Sequence, residues 1–477
     1  MDTLSTELVQ LCLQFCDSSR DIAQICRLNK KFYSITIQTL FKTVEIKGPA
    51  QYITFCRHMA SMREKGLFKL VRHLDFMGYT THGVRYSQEE ARKAVTPEGF
   101  AQLLDECIDL RELSVTNELN HVFQDSSVIR SIFANHQRIE SIDLIGFFQL
   151  KYANTMSSLF AQNVTMCDKD LHEKHEALCN KPSDYASTLP TQLPPITISS
   201  YLSRVSFYLN ATLTQSEFFT PFFKLLKENN ISLTRIDVGH TRVTNDIFNH
   251  ILPQKLTHFG LQGCRMVSLD DNASQFFARC TNLQELNLNM RAGIVIPRNP
   301  GDAPPCYWFS PQSLSQLLLS CNKKKDLRVL HLGGQGELDD EILGSCKPTT
   351  HRLTHFSIAG ASKVTAESFL DTLAQMPHLE YLDLSNTFFD TTIDGLQTTL
   401  FVIKESQYLD SLKVIEFCSS KTMRFPDTWL GWKFMTHNLR SYYFRQDVNP
   451  CYSMPQKLPA VGRIPRSAME RYWRFSL

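Results

Sequence analysis

Cys167, His172, His175 and Cys179 stand in the order Cys-x4-His-x2-His-x3-Cys, and each is a side chain that can ligate zinc. The spacing matches no common zinc finger. The surrounding stretch, from about Phe147 to Thr197, is rich in polar residues and proline, including Lys181-Pro182-Ser183-Asp184 and Pro190 to Pro195. A polar loop or short charged helix is therefore expected there, part of it mobile, with no metal and no cofactor. Motifs of familiar catalysis are missing: the sequence holds no GxxxxGK[ST], no GxSxG and no HExxH. His258, His331 and His355 each sit within a repeated pattern, and are expected to be scattered surface histidines. The chain is read as non-catalytic.

The elements that position those histidines come from that pattern, Leu-x-x-Leu-x-Leu with other apolar residues allowed. It starts at Leu256, Leu283, Leu327, Leu353, Leu379 and Leu412, and earlier at Leu70 (stretched by one residue), Leu110, Ile139 and Leu233. Weaker copies start at Leu202 and Leu439. Most steps are about 23 to 33 residues, the range of leucine-rich repeats, with longer steps of about 40 after Leu70, about 63 after Ile139 and about 44 after Leu283. One copy alone would suit an amphipathic helix. Many copies at a near-constant period, followed by helical spacing such as Phe369, Leu370, Leu373 and Met376 before Pro377, point to one strand and one helix per unit.

Strand geometry then names a binding surface. Repeat leucines point inward and their alternates face outward. The alternates are Asp237, His258, Glu285, His331, His355, Tyr381, Asp383 and Glu416, with Asp143, Arg235, Tyr443 and Arg445. The first eight are taken as the candidate substrate-binding set. Their acidic lean points to a basic peptide or basic protein patch.

Composition bounds the rest. The chain has 477 residues, 43% hydrophobic and 21% charged, with formal net charge +2. That balance gives no footprint for nucleic acid. Lys323-Lys324-Lys325, followed by Asp326, is expected to be a solvated loop. No apolar run reaches about 18 residues, so no membrane span is expected. The 14 cysteines include no CxxC pair and fall on apolar faces, as reduced buried thiols of a cytoplasmic or nuclear protein do.

The N-terminal segment reads as three short helices. Ser5 or Thr6 can cap the first, and Leu8, Cys12, Phe15 and Cys16 form an apolar face. Asp17-Ser18-Ser19 breaks the pattern; Ile22, Ile25 and Cys26 form the next stripe; Asn29 caps a third helix carrying Phe32, Tyr33, Ile35 and Ile37. A piece of this size buries its own core poorly.

Leu4-Ser-Thr-Glu7-Leu8-Val-Gln-Leu-Cys12-Leu-Gln-Phe15-Cys16, continued by Asp21-Ile22-Ala-Gln-Ile25-Cys26-Arg27-Leu28-Asn-Lys-Lys-Phe32-Tyr33, resembles an F-box. Leu40-Phe-Lys-Thr-Val-Glu-Ile46 is similar to the exit strand that follows many fungal F-boxes. Ser5 stands where family members usually carry proline, and Phe32 where many animal members carry tryptophan. Phe277-Ala-Arg-Cys280-Thr-Asn-Leu283-Gln-Glu-Leu286-Asn-Leu288, and Val364 through Leu384, resemble the cysteine-containing repeats common in F-box proteins, with Cys264 at the turn after Leu261.

The resemblance implies an α/β protein: a three-helix F-box over residues 1–46, then a curved leucine-rich-repeat solenoid over 47–445. The solenoid carries insertions near 147–197 and 291–311, and residues 446–477 form a C-terminal cap or tail. It further implies the substrate receptor of an SCF ubiquitin ligase. Leu4, Leu8, Cys12, Phe15, Ile22, Ile25, Cys26 and Phe32 would then dock a Skp-type adaptor and, through it, a cullin. The repeats would hold a protein substrate; no nucleic acid or membrane partner is implied. The alternative is a repeat scaffold outside any ligase, its N-terminal helices serving only as a cap.

Overall fold

A computed structural model of the chain describes residues 5–445 except 14–15, 17–18, 81–92, 168–195, 269, 291–308, 322–323, 325, 347–350, 388–400, 402–409, 418–427, 430 and 438–439. The chain divides into two compact units with the boundary between Leu202 and Ser203. The expected C-terminal cap or tail, 446–477, lies outside the described residues.

The first unit opens on three helices: α1 (Thr6–Leu13), α2 (Ser19–Ile25) and α3 (Lys30–Lys42). The caps are those the sequence offers. Ser5 Oγ accepts from the Leu8 N–H at 3.3 Å, and Asn29 Oδ1 from the Phe32 N–H at 2.8 Å. Val9, Leu13, Ile22, Phe32 and Ile35 close a small core, with Cys16, Ile25 and Leu40 packed against it.

Strand β1 (Thr43–Glu45) follows α3 directly and pairs in parallel with β2 (His73–Phe76). Strands β3 (Glu112–Thr116) and β4 (Ser141–Ile145) extend the sheet, again in parallel. Parallel neighbours need a crossover, and helices α4 (Pro49–Glu64), α5 (Pro97–Glu106) and α6 (Ser126–Arg130) supply it. A run of aromatic contacts links the layers. Phe76, Phe100, Phe123 and Phe147 follow one another at 5.3, 5.6 and 5.1 Å between ring centroids, and Tyr152 on α7 (Leu150–Cys167) closes the run at 4.7 Å.

In the second unit eight parallel strands follow one another: β5 (Arg204–Ser206), β6 (Arg235–Asp237), β7 (His258–Gly260), β8 (Glu285–Asn287), β9 (Val329–His331), β10 (His355–Ser357), β11 (Tyr381–Asp383) and β12 (Val414–Phe417). Each repeated pattern from Leu202 to Leu412 supplies one of them. Register is constant, so Val205, Ile236, Phe259, Leu286, Leu330, Phe356, Leu382 and Ile415 form one column. None of the eight is more than 1% exposed. Between strands run α8 (Thr220–Glu228), α9 (Ile247–His250), α10 (Asp271–Arg279), α11 (Pro311–Cys321), α12 (Asp340–Gly344) and α13 (Ala366–Leu373). Asp270, Asp339 and Thr365 cap α10, α12 and α13.

Two expectations are corrected here. The weak pattern from Leu439 does not add a parallel repeat: β15 (Arg440–Arg445) runs antiparallel to β12, and β14 (Trp432–His437) and β13 (Thr428–Trp429) follow it in antiparallel pairs. Reversal ends the repeat geometry, because an antiparallel neighbour needs no crossover helix. Lys324, expected in solvent, is 3% exposed. Its Nζ donates to the carbonyls of Phe277 (2.6 Å) and Cys280 (3.0 Å), at the C-terminus of α10, where helix carbonyls lack partners and the dipole favours a cation.

One turn position recurs. The residue two places after the last apolar position of the pattern takes a left-handed backbone at Gly146, Leu209, His240, Gly263, Gly334, Gly360 and Asn386. Its N–H continues the ladder into the next repeat, as Gly263 to Asn289 O and Gly360 to Ser385 O, both at 2.7 Å. The following residue is buried. Thr241 Oγ1 and Cys264 Sγ both donate to Val238 O there, at 2.7 and 3.1 Å. Burial pushes the Cys264 thiol up to about 12, so it stays protonated.

Two predictions follow from this turn. Gly360→Ala, at φ +77 with no close contact for the added methyl, should destabilise by roughly 1–2 kcal/mol. Gly344→Ala, inside α12 and facing open space, should stabilise by about 0.5 kcal/mol; equal effects in urea melts would place the turn elsewhere. His240 is 4% exposed, and burial, then Arg265, lowers its pKa to about 4. Its folded pKa is depressed, so the associated stability is whole above the ordinary imidazole value and is lost as pH falls from there towards about 4. His240→Asn, which also tolerates the left-handed turn, should lose less melting temperature between pH 7 and 4.5 than the parent does.

Candidate functional site

Two surfaces carry the residues singled out from sequence. The first is on the N-terminal helices. Leu8 and Leu11 are each 50% exposed, Leu28 is 59% and Tyr33 45% exposed, and Cys12 is exposed as well. Leu8, Leu11 and Cys12 share one side of α1, since residues three and four apart are helical neighbours. Val9 and Leu13 occupy its other side, in the core.

The expected adaptor-binding set therefore splits. Leu8 and Cys12 face outward. Ile22 (8% exposed) and Phe32 (7% exposed) are core residues of the helical unit, not parts of an exposed face. Ile25 is half-buried against that core, and Cys26 lies with its Sγ 2.8 Å from Thr36 Oγ1. Leu4 and Phe15 lie outside the described residues. Leu11, Leu28 and Tyr33 stand outside the expected adaptor-binding set. The available signal was in α1 itself: Thr-Glu-Leu-Val-Gln-Leu-Cys-Leu has more apolar residues than one face of two turns can hold.

The second surface is the strand face opposite the buried column. All eight residues taken as substrate-binding fall on it, in two adjacent rows. His258, Glu285, His355 and Tyr381 stand in the row before the buried column, with Arg204, Arg235, Val329 and Val414. Asp237, His331, Asp383 and Glu416 stand in the row after it, with Ser206, Gly260, Asn287 and Ser357.

The carboxylates of this face have structural work. Asp237 Oδ1 accepts from the Gly239 N–H at 3.2 Å, Asn287 Oδ1 from Asn289 at 3.1 Å and Asp383 Oδ1 from Ser385 at 3.0 Å. In the first unit Asp75 Oδ1 does the same for Met77 at 2.6 Å. Short side-chain acceptors at that place close a local turn where each strand ends. Asp383 Oδ2 also accepts from Ser357 Oγ at 2.9 Å. Glu285 lies 3.4 Å from the Arg235 guanidinium and 3.2 Å from His258 Nε2, and the Tyr381 hydroxyl donates to Glu416. The His355 ring stacks on Tyr381 at 5.8 Å. Burial lowers the His355 pKa, against the pull of Glu285 and Glu380 and with the push of Lys413. Asp237, Glu285, His331, Tyr381, Asp383 and Glu416 are all buried. The carboxylates of the candidate set thus accept hydrogen bonds or ion pairs from within the protein.

Among the described residues no group of three or more His, Cys, Asp or Glu is placed to hold a metal ion. The side chain of Cys167, and the whole of His172, His175 and Cys179, lie outside those residues. No described helix is long and apolar enough to cross a membrane. What the two surfaces offer is packing and hydrogen bonding.

No family model and no curated protein matches the chain. Among solved structures the chain is similar to one described as the Rad7 and Elc1 complex in yeast, with a TM-score of 0.42 and 13% identity, over 85% of this chain and 91% of that one. It is also similar to an internalin (inlF) from Listeria monocytogenes str. 4b F2365, with a TM-score of 0.33 and 11% identity, over 85% and 96%. Likeness at these scores carries no argument about function. The mixed α/β repeat architecture stands on the chain's own strands and their register.

Arg235 and Glu285 are both about 5% exposed, so replacing Arg235 leaves the buried Glu285 without its guanidinium. Arg235→Met should destabilise by roughly 3–5 kcal/mol, and Arg235→Met with Glu285→Met should recover most of that loss. A double variant no more stable than the single one, in urea melts, would show that the pair is not the interaction that matters.

Proposed function

We propose that this chain is the substrate-recognition subunit of an SCF-type ubiquitin ligase. In this reading the N-terminal helices are an F-box that docks a Skp-type adaptor and, through it, a cullin. The strand face of the repeats holds the protein to be ubiquitinated. The chain supplies no catalytic group, since ubiquitin transfer belongs to other subunits, and it works in the cytoplasm or nucleus. One observation carries the reading: a helical unit that already has a core still presents Leu8, Leu11, Leu28 and Tyr33 to water. Large apolar side chains left exposed on a folded unit suit a surface that another protein covers. The F-box resemblance supports the choice of partner, and the repeats that follow fit a receptor, because stacked units build an extended binding surface.

Substitutions on the outer side of α1 test this without touching the core. Leu8→Asp with Leu11→Asp should abolish copurification with a coexpressed Skp-type adaptor while leaving the melting temperature of the chain within a few degrees of the parent. Ile22→Asp is the contrast: it puts a charge into the helical core and should unfold α1–α3, seen as lost helical circular dichroism. A folded Leu8/Leu11 double variant that still brings down the adaptor would falsify the docking face. A parent chain that never copurifies with the adaptor would leave a repeat scaffold outside any ligase.

A further inference from the structure

We draw no further inference here: the strongest candidate, the row of Arg235, His258 and Glu285 on the strand face of the second unit, belongs to the surface already described, and nothing in the structure shows what covers that face.

Discussion

Everything in the second unit depends on one buried apolar side chain per strand being held in line with the next. A strand of three residues cannot form a core by itself. The column from Val205 to Ile415 does so because the register never slips, and a slip of one residue would turn every apolar side chain to the other face. Register is kept from both ends. Ahead of each strand a backbone N–H reaches the carbonyl of the preceding repeat, as Thr257 to Thr234 and Thr354 to Arg328, both at 2.8 Å. Beyond β5, β6, β7, β9 and β10 the left-handed turn carries the ladder further. The repeat is thus defined as much by where its backbone turns as by where its leucines fall.

That constraint also accounts for the chemistry of the strand face. Where a strand ends, the chain must bend at once, and a short acceptor side chain makes the bend by taking the N–H two residues on. Asp75, Asp237, Asn287 and Asp383 all do this. Aspartate at this place is first a turn residue and only then a charge. Glutamate is too long for the same bond; across strands Glu285 meets Arg235 and His258, and Glu416 accepts from the Tyr381 hydroxyl. Hydrogen bonds within such a network are strengthened by burial, and a group removed from it leaves its partner costly and buried.

Much of this was legible in the sequence. The leucine period predicted each parallel strand of the second unit, and alternation put the eight candidate residues on the strand face opposite the buried column. What period and alternation do not carry is the state of a side chain once it is there. Lys324 looks like a surface lysine in a basic run, yet it sits on the carbonyls at the end of α10, and no local pattern reports a partner more than forty residues away in sequence. The aromatic run from Phe76 to Tyr152 is equally silent, since its members are spaced by repeat length rather than by helix or strand period. In the N-terminal helices the apolar positions were visible, but not which of them face the core. Ile22 and Phe32 compete with Leu8 and Leu11 for that role, and only the packing of α1 and α2 on α3 decides it.

The apolar side chains that the N-terminal helical unit exposes set a limit on what a partner could gain by covering them. Burying a leucine completely is worth about 1.5–3 kcal/mol. Leu8, Leu11, Leu28 and Tyr33 are each already about half covered, so what a partner could still gain from the four is on the order of 3–6 kcal/mol. Association itself costs roughly 4–15 kcal/mol in lost freedom. The four side chains therefore do not hold a partner alone. A lasting complex needs the contact to spread towards the roughly 800 Å² per side of ordinary stable interfaces. A partner that covers only the outer side of α1 gains only the share of Leu8 and Leu11, about half of that total.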